Sequence, residues 1–401
     1  MKILMIPSGY YPECCGGVEV ITQSLSEGLV KRGHQVFVLC QSGETKKEEI
    51  NGVVVYKLKP KELKNPTNSK IKYKINRLLQ MYNPFNKKEI KKIVKEINPD
   101  IVNLHMARTL SMSVLKVVQE LKIPVVSTLH EYFSLWNFDP MDKMEKMLET
   151  KPQWYVELIR NKHRRLTKKV EYITAPLMTT IDTYQKERYY ENVKGKEILN
   201  SLPMMKDEKR INILNEKLER INNTEEFNFL IISRLMPFKG IELALESFMK
   251  TQNPNIVLNI AGDGPLVNFI KECAKKDSRI KYHGYVIGKE KHEMFKKCDV
   301  LVFPTTELET FGLVIIEAYD YCMPVIASKV EATKRLIKDN VTGNIIENIT
   351  LEKLSKCFEE YANKENLIDK IKNCYKEINY KHYETFINNY EEVYKQVLKE
   401  K

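Results

Sequence analysis

The chain has 401 residues, of which 43% are hydrophobic, and this is enough material for two domains with a core each. No run approaches the roughly 18 apolar residues that a membrane span needs, so we expect a soluble cytoplasmic protein. The eight cysteines form no CxxC pair, which argues against a zinc site. The net charge of +12 arises from lysines interleaved with glutamates, which argues against nucleic-acid binding.

Short β-branched runs alternate with helical patterns in the first half of the chain. The pattern predicts strands at Ile3–Ile6, Val36–Leu39, Ile101–Leu104 and Val125–Leu129, with a helix over Val18–Arg32 after the first strand. Such alternation is typical of a parallel sheet covered by helices.

The second half repeats this arrangement. Its strands are predicted at Phe229–Ile232, Val257–Ala261, Val300–Phe303 and Val325–Ala327. The sequence therefore predicts an α/β protein with two Rossmann-like domains. Ligands of such sheets usually bind beyond the carboxyl ends of the strands.

Composition also predicts where the domains divide. We expect an N-terminal domain over 1–200, a polar linker with a possible short helix over 201–226 and a C-terminal domain over 227–379. The last segment, 380–401, is predicted as a helix with an apolar stripe, and this stripe should pack back on the N-terminal domain.

The strongest chemical signal follows the predicted strand that ends at Phe303. A loop carries Glu309 and leads through Phe311 to Gly312. A helix is predicted to begin near Leu313 and to carry Glu317 in its following turns. Free amides at a helix start suit a diphosphate, and carboxylates can accept hydrogen bonds from sugar and ribose hydroxyls.

A second signal is the loop Ser233–Gly240, which directly follows a predicted strand. It contains Arg234 and Lys239. Two cations on one such loop can neutralise the charge that develops on a departing diphosphate, which is work that a divalent metal performs in other enzymes.

These two segments closely resemble the retaining GT-B glycosyltransferases of family 4, also described as glycosyl transferases group 1. Glu309 and Glu317 match the two glutamates of that family's motif, with seven residues between them. The resemblance implies two Rossmann-like domains that face each other across a cleft. It also implies a nucleotide-sugar donor in the C-terminal domain, transfer with retention, and no metal or other cofactor.

Other parts of the chain match the same family and take their roles from it. Arg234 and Lys239 would stabilise the leaving diphosphate, and Glu309 would orient the donor sugar. Glu317 would bind the ribose, beside the backbone of Phe311, Gly312 and Leu313.

Further family matches lie on loops after other predicted strands. Gly284 and Tyr285 would lie near the nucleobase. Gly16 and Gly17 would face the donor phosphates, and their spacing is not the GxGxxG of a dinucleotide-binding oxidoreductase. His130 resembles the family's active-site histidine. His105 could equally be a residue of the site or a structural residue.

Three positions depart from the family pattern. Cys322 stands where glycine is usual, 330–335 replaces a glycine-rich stretch, and Leu177 stands where serine is common. These departures bear on the identity of the donor.

Residues 70–82 have apolar side chains at helical spacing among lysines and an arginine. This pattern is compatible with a basic amphipathic helix on an anionic membrane, but it favours a surface helix packed on its own domain.

The sequence thus predicts transfer of a hexose or N-acetylhexosamine from a UDP- or GDP-sugar to a glycan or lipid-linked acceptor, in cell-surface polysaccharide or glycolipid synthesis. The alternatives are a nucleotide-sugar-binding protein with little or no turnover and a GT-B epimerase. A phosphorylase of the glycogen type would need a lysine for pyridoxal phosphate in a recognisable context, which the sequence lacks.

Overall fold

The computed structural model describes residues 1–13, 16–61, 70–105, 110–132, 135, 154–306, 309–377 and 381–400. The chain divides into two compact units, the first formed by Met1–Leu202 with His382–Lys401 and the second by Pro203–Lys381. Among the helices of the described part, none is both long and apolar enough to cross a membrane.

The first unit is built on an eight-stranded sheet. Its strands are β1 (Lys2–Ile6), β2 (Gln35–Gln41), β3 (Lys46–Ile50), β4 (Val53–Leu58), β5 (Ile101–Leu104), β6 (Val125–Thr128), β7 (Tyr172–Ala175) and β8 (Gly195–Glu197). They lie in the order β3-β4-β2-β1-β5-β6-β7-β8, and all described pairs except β3 with β4 are parallel. The strand order reverses between β1 and β5.

Six helices lie in the described parts of the connections between the strands of this unit. They are α1 (Gly17–Lys31), α2 (Lys70–Met81), α3 (Lys87–Ile97), α4 (Ser113–Glu120), α5 (Trp154–Thr167) and α6 (Met178–Lys186). A 3-10 turn at Pro84–Asn86 precedes α3. In α3 the buried residues Ile90, Ile93, Val94 and Ile97 recur at helical spacing, so one face joins the core and the lysines take the other.

The second unit contains a six-stranded sheet in which every described pair is parallel. Its strands are β9 (Phe227–Ile232), β10 (Ile256–Ala261), β11 (Ile280–Tyr282), β12 (Val300–Phe303), β13 (Val325–Ser328) and β14 (Gly343–Ile346). The order is β11-β10-β9-β12-β13-β14, the Rossmann arrangement, and it reverses between β9 and β12.

Eight helices of the second unit are described, together with a 3-10 turn at Pro237–Lys239. They are α7 (Asp207–Asn223), α8 (Ile241–Met249), α9 (Val267–Lys276), α10 (Gly288–Lys297), α11 (Leu313–Asp320), α12 (Glu331–Leu336), α13 (Leu351–Tyr361) and α14 (Lys364–Glu377). The fold class predicted from the sequence, two Rossmann-like α/β domains, is confirmed.

The segment predicted as a linker, 201–226, is mostly the helix α7, which is longer than the possible short helix that the sequence indicated. Leu214 and Ile221 are buried in the hydrophobic core of the second unit. The buried face of this helix also carries the cations Arg210 and Lys217, and its other charged residues lie at half-buried or exposed positions. These charged residues give the segment its polar composition. Polar composition was therefore a poor guide here, because an amphipathic helix buries only one stripe.

The last helix, α15 (Lys381–Lys399), belongs to the first unit. Its aromatic stripe is buried, and the hydroxyl of Tyr394 accepts a hydrogen bond from the Asn103 side chain of β5 at 2.6 Å. Arg32 at the end of α1 forms an ion pair with Glu391 at 2.7 Å. Tyr380 and Lys401, the ends of the predicted segment 380–401, lie outside the described residues.

All eight strands predicted from the sequence are present, and six others were not predicted. Among the latter, β3 and β4 form a hairpin whose turn residues Asn51 and Gly52 have φ of 52° and 80°. Asn-Gly between two strands is a strong hairpin signal, so this pair could have been found from the sequence.

Candidate active site

The loop after β9 is held against the loop after β12 by close backbone packing. Both loops leave the sheet of the second unit where its strand order reverses. Gly240 has a φ of +68°, and a Cβ there would stand 2.0 Å from the carbonyl oxygen of Pro304. The amide of Thr306 donates to the carbonyl of Phe238 at 3.1 Å. Glycine is therefore needed for the two loops to meet.

This packing brings Lys239 and Glu309 into an ion pair. Lys239 Nζ lies 2.5 Å from Glu309 Oε2, and the two side chains are 16% and 14% exposed. Burial raises the pKa of Glu309, but the charge and hydrogen bond of Lys239, the amide of Phe311 and the charge of Arg234 lower it more. The net pKa lies below its ordinary value, so Glu309 is ionised at neutral pH. Exposed Arg234 adds a second cation to this cluster.

The amide of Phe311 donates a hydrogen bond to Glu309, and the helix α11 begins two residues later. It starts at Leu313, as predicted, and Gly312 before it has a φ of +85°. The first amides of a helix have no partner within it, and the helix dipole adds a partial positive charge there. The two loops therefore combine the side-chain cations Arg234 and Lys239 with a helix N-terminus, which is a suitable environment for a diphosphate.

Glu317 lies in the second turn of α11 and is not part of the Lys239–Glu309 pair. Its Oε1 lies 2.5 Å from Nζ of Lys291, which belongs to α10. The side chain of Glu317 is 21% exposed and thus accessible to a ligand hydroxyl.

The turn with Gly284 and Tyr285 lies along the same edge of the sheet, two strands from β9. The carbonyl of Gly284 accepts the amide of Gly262 at 2.7 Å, and Tyr285 is 63% exposed. His283 is bonded through Nε2 to the Asn259 side chain at 2.8 Å. This contact gives His283 a structural role and leaves Tyr285 as the exposed aromatic ring of the turn.

In the first unit, Gly16 and Gly17 form the start of α1. The carbonyl of Gly16 accepts the amide of Val20 at 3.0 Å, and Gly17 has open space around the position of a Cβ. Cys14 and Cys15, which precede them, lie outside the described residues. Glu13, which directly precedes Cys14, forms an ion pair with the buried Lys57 at 2.8 Å.

His130 and His105 form a buried pair at the ends of neighbouring strands. His105 Nδ1 lies 2.9 Å from His130 Nε2, and the rings are stacked with 5.2 Å between their centroids. Burial lowers the pKa of His130 to about 4, and burial and the neighbouring ring lower that of His105. Both imidazoles are therefore neutral at pH 7, and one donates to the other.

The structure thus groups the predicted residues into separate sets. Arg234, Lys239, Glu309 and Phe311 form one cluster, while Glu317, the Gly284–Tyr285 turn, the Gly16–Gly17 loop and His130 each have other neighbours.

Sequence reasoning missed Lys291, and it left the role of His105 open. Lys291 carried no signal, because it is one of many lysines and its partner lies 26 positions away. His105 had a signal, since it ends a predicted strand as His130 does.

Sequence profiles of two glycosyltransferase families cover most of the chain. The profile described as Glycosyl transferases group 1 matches residues 214–378, and that described as Glycosyltransferase Family 4 matches residues 15–192. The first match contains the Lys239–Glu309 pair and α11, and the second contains the glycine loop and His130. The chain is a GT-B glycosyltransferase of group 1.

Relatives of this glycosyltransferase support the assignment. It is 25% identical over 354 residues to an alpha-monoglucosyldiacylglycerol synthase of Streptococcus pneumoniae, covering 86% of this chain and 74% of the synthase. It is 26% identical over 369 residues to a 42.6 kDa protein of the Klebsiella pneumoniae cps region, covering 87% of this chain and 89% of that protein.

A solved structure shares the fold of the glycosyltransferase. The crystal structure of Anabaena Alr3699/HepE in complex with UDP and glucose aligns with a TM-score of 0.69 at 15% identity, covering 99% of this chain and 100% of that one.

The structure shows the surroundings of the three departures of this glycosyltransferase from the family pattern. Cys322 has a φ of 56°, the left-handed conformation that favours glycine, and its side chain is fully buried in the core. The stretch 330–335 lies largely in α12, where the Thr333 hydroxyl accepts the amide of Val330 at 3.0 Å and caps the helix start. Nothing in the structure explains Leu177, which is buried before α6.

Proposed function

We propose that this glycosyltransferase moves a hexose or N-acetylhexosamine from a UDP- or GDP-sugar to a glycan or lipid-linked acceptor, with retention and without a metal ion. The observation that carries the proposal is the cluster of Arg234, Lys239 and Glu309 directly before the N-terminus of α11. The two loops thereby provide positive charge for a diphosphate and an ionised carboxylate for sugar hydroxyls at one place.

The two cations act on the leaving group. As the bond from the anomeric carbon to the diphosphate breaks, negative charge grows on the diphosphate oxygens. Arg234 is exposed, and the Lys239 ammonium has three protons to share between Glu309 and a phosphate oxygen. Together with the backbone at Phe311, Gly312 and Leu313, they stabilise this charge as a metal ion would elsewhere.

The carboxylates hold the two ends of the donor. Ionised Glu309 accepts hydrogen bonds from sugar hydroxyls, and Glu317 accepts from the ribose. Exposed Tyr285, next to Gly284, supplies a ring surface for the nucleobase.

We assign no covalent nucleophile to the reaction. The acceptor oxygen bonds to the anomeric carbon on the face that the diphosphate leaves, and its proton passes to the departing diphosphate oxygen. His130, a neutral imidazole, hydrogen-bonds a sugar or acceptor hydroxyl, and Gly16 and Gly17 offer amides to donor phosphates.

The relatives support a glycan or lipid acceptor in polysaccharide or glycolipid synthesis. One is a synthase of a glucosyldiacylglycerol and another is from a cps region. We further propose peripheral contact with anionic membrane through α2, predicted over 70–82, and its neighbour α5. Phe85, Trp154 and Leu158 are 59%, 75% and 61% exposed.

The membrane contact is tested by sedimentation with anionic vesicles. Binding that weakens with salt, and that is reduced when Trp154 and Leu158 are both changed to serine, supports it. Absence of salt-sensitive binding refutes it. The side chains of Lys70, Ile71, Lys72, Lys74 and Arg77, on which the prediction from the sequence rested, lie outside the described residues.

The donor site is tested by calorimetry with UDP, GDP and ADP in the presence of EDTA. We expect one nucleotide to bind without metal, and Arg234→Ala to weaken its binding by about tenfold. The anomeric configuration of the transferred sugar, read by NMR, then tests retention. Binding without any transfer or donor hydrolysis would favour the alternative of a binding protein, and conversion of the donor into its epimer would favour an epimerase.

A further inference from the structure

Two neighbouring helices of the second unit are joined by two side-chain contacts at successive positions of α10. Lys291 Nζ lies 2.5 Å from Glu317 Oε1, and His292 Nδ1 lies 2.5 Å from the hydroxyl of Tyr321. Tyr321 is the residue directly after α11, four positions beyond Glu317, and both side chains contact α10. The side of α11 that carries Glu317 is therefore fixed to α10 at two points.

We propose that Lys291 is a positioning residue for the nucleotide ribose. It holds the carboxylate of Glu317 by Oε1 and leaves Oε2 directed to a ribose hydroxyl. The inference rests on the proposed function, in which Glu317 is the residue that contacts the ribose.

The physical argument has two parts, and the first concerns orientation. A glutamate side chain on a helix surface has several rotamers, and binding must select one of them at an entropic cost. The Lys291 contact selects it beforehand. A carboxylate has about four acceptor positions, so one contact on Oε1 leaves room for hydroxyl donors.

The second part concerns charge. Glu317 shares α11 with Asp320, whose pKa is raised to about 6 by burial first and by the charge of Glu317 among lesser causes. A nucleoside diphosphate brings further negative charge to this helix. The ammonium of Lys291 offsets part of this repulsion at the position where the ribose would bind.

The Lys291–Glu317 ion pair contributes little to the stability of the fold. Lys291 is 31% and Glu317 21% exposed, and ion pairs in such surroundings contribute weakly because water screens them. A pair that stabilises the fold so little and joins a predicted ligand residue is better explained by binding.

The test measures dissociation constants by calorimetry for UDP and 2′-deoxy-UDP, and in parallel for GDP and 2′-deoxy-GDP. The variants are Lys291→Met, Lys291→Arg and Glu317→Gln. Lys289→Met is the matched control, because this exposed lysine lies one position into the same helix and its loss changes the charge equally.

In the wild type, we expect the deoxynucleotide to bind about tenfold more weakly than the ribonucleotide. Lys291→Met should weaken binding of the ribonucleotide by about fivefold and lower this ratio toward one, with the deoxynucleotide affected less. Lys291→Arg should keep the ratio, and Lys289→Met should leave it unchanged.

The inference is overturned if Lys291→Met weakens both nucleotides equally, since Lys291 would then act only as a distant charge. It is also overturned if Lys291→Met tightens binding, which would mean that Lys291 competes with the ribose for Glu317. If Glu317→Gln keeps the wild-type ratio, or if no nucleotide binds the wild type, the proposed role of Glu317 fails, and the inference fails with it.

Discussion

The two units use the same parallel α/β plan, but the residues at the points where their strand orders reverse differ in charge. In the second unit, the Lys239–Glu309 ion pair occupies this place, and Lys291 pairs with Glu317 on the helix that follows β12. In the first unit, the neutral pair of His105 and His130 lies there. The fold provides a position for a site, and the side chains at the strand ends decide its chemistry.

The difference agrees with a division of work in the proposed reaction. A diphosphate needs fixed positive charge, whereas sugar and acceptor hydroxyls need neutral donors and acceptors. This comparison would be wrong if a variant that loses positive charge in the second unit kept its transfer activity. It would be supported if each variant changed only the property that we assign to its own unit.

The largest effect is expected from Lys239→Ala. Removing the ammonium takes away one of the two charges proposed for the leaving diphosphate, so kcat should fall by about 10²- to 10³-fold. Steady-state kinetics, with a sugar donor of the nucleotide that binds in the calorimetric test, measures this.

Lys250→Ala is the control for that variant. Lys250 belongs to the same unit and is 51% exposed in a surface ion pair with Glu352, so we expect nearly unchanged kinetics. A loss of less than about threefold in Lys239→Ala would contradict the role of the charged cluster.

A smaller effect, on stability, is expected from Gly240→Ala. The new Cβ would meet the Pro304 carbonyl in a backbone conformation that already disfavours alanine, so we expect about 3 kcal/mol of destabilisation. Urea unfolding followed by circular dichroism measures it.

Gly33→Ala separates the two causes. Gly33 has a φ of +82° but nothing within 4 Å of its Cβ position, so only the conformational cost of about 1 kcal/mol applies. Equal effects of the two variants would show that the contact between the two loops does not matter.

The smallest effect concerns pH and the first unit. The pKa of His130 is about 4 in the folded protein and about 6.5 when unfolded, because burial disfavours the charged ring. The unfolded chain therefore takes up a proton first. The contribution of His130 to the unfolding free energy should be complete above pH 6.5. It should be lost as the pH decreases toward 4, by at most about 1.4 kcal/mol per pH unit.

His130→Gln should remove part of this pH dependence in urea titrations at pH 7, 6 and 5. His382→Gln, a change at an exposed histidine, should leave it as in the wild type. A wild-type slope that persists in His130→Gln would show that other groups cause it.

The sequence alone determined the fold class and the segments of the second unit's site. Buried strands are continuous β-branched runs, and the loops after them carried Arg234, Lys239, Glu309 and Glu317 within short stretches of chain. Such local patterns are legible because each strand, loop and helix start depends mainly on neighbouring residues.

Only the tertiary structure decided which of these residues meet. The Lys239–Glu309 pair depends on Gly240 lying against Pro304, which follows a different strand, and Lys291 reaches Glu317 from another helix. The helix α7 within the predicted linker likewise depends on a core that accepts its apolar stripe. Contacts between residues far apart in the chain follow from strand order and packing, and composition and spacing along the chain do not contain this information.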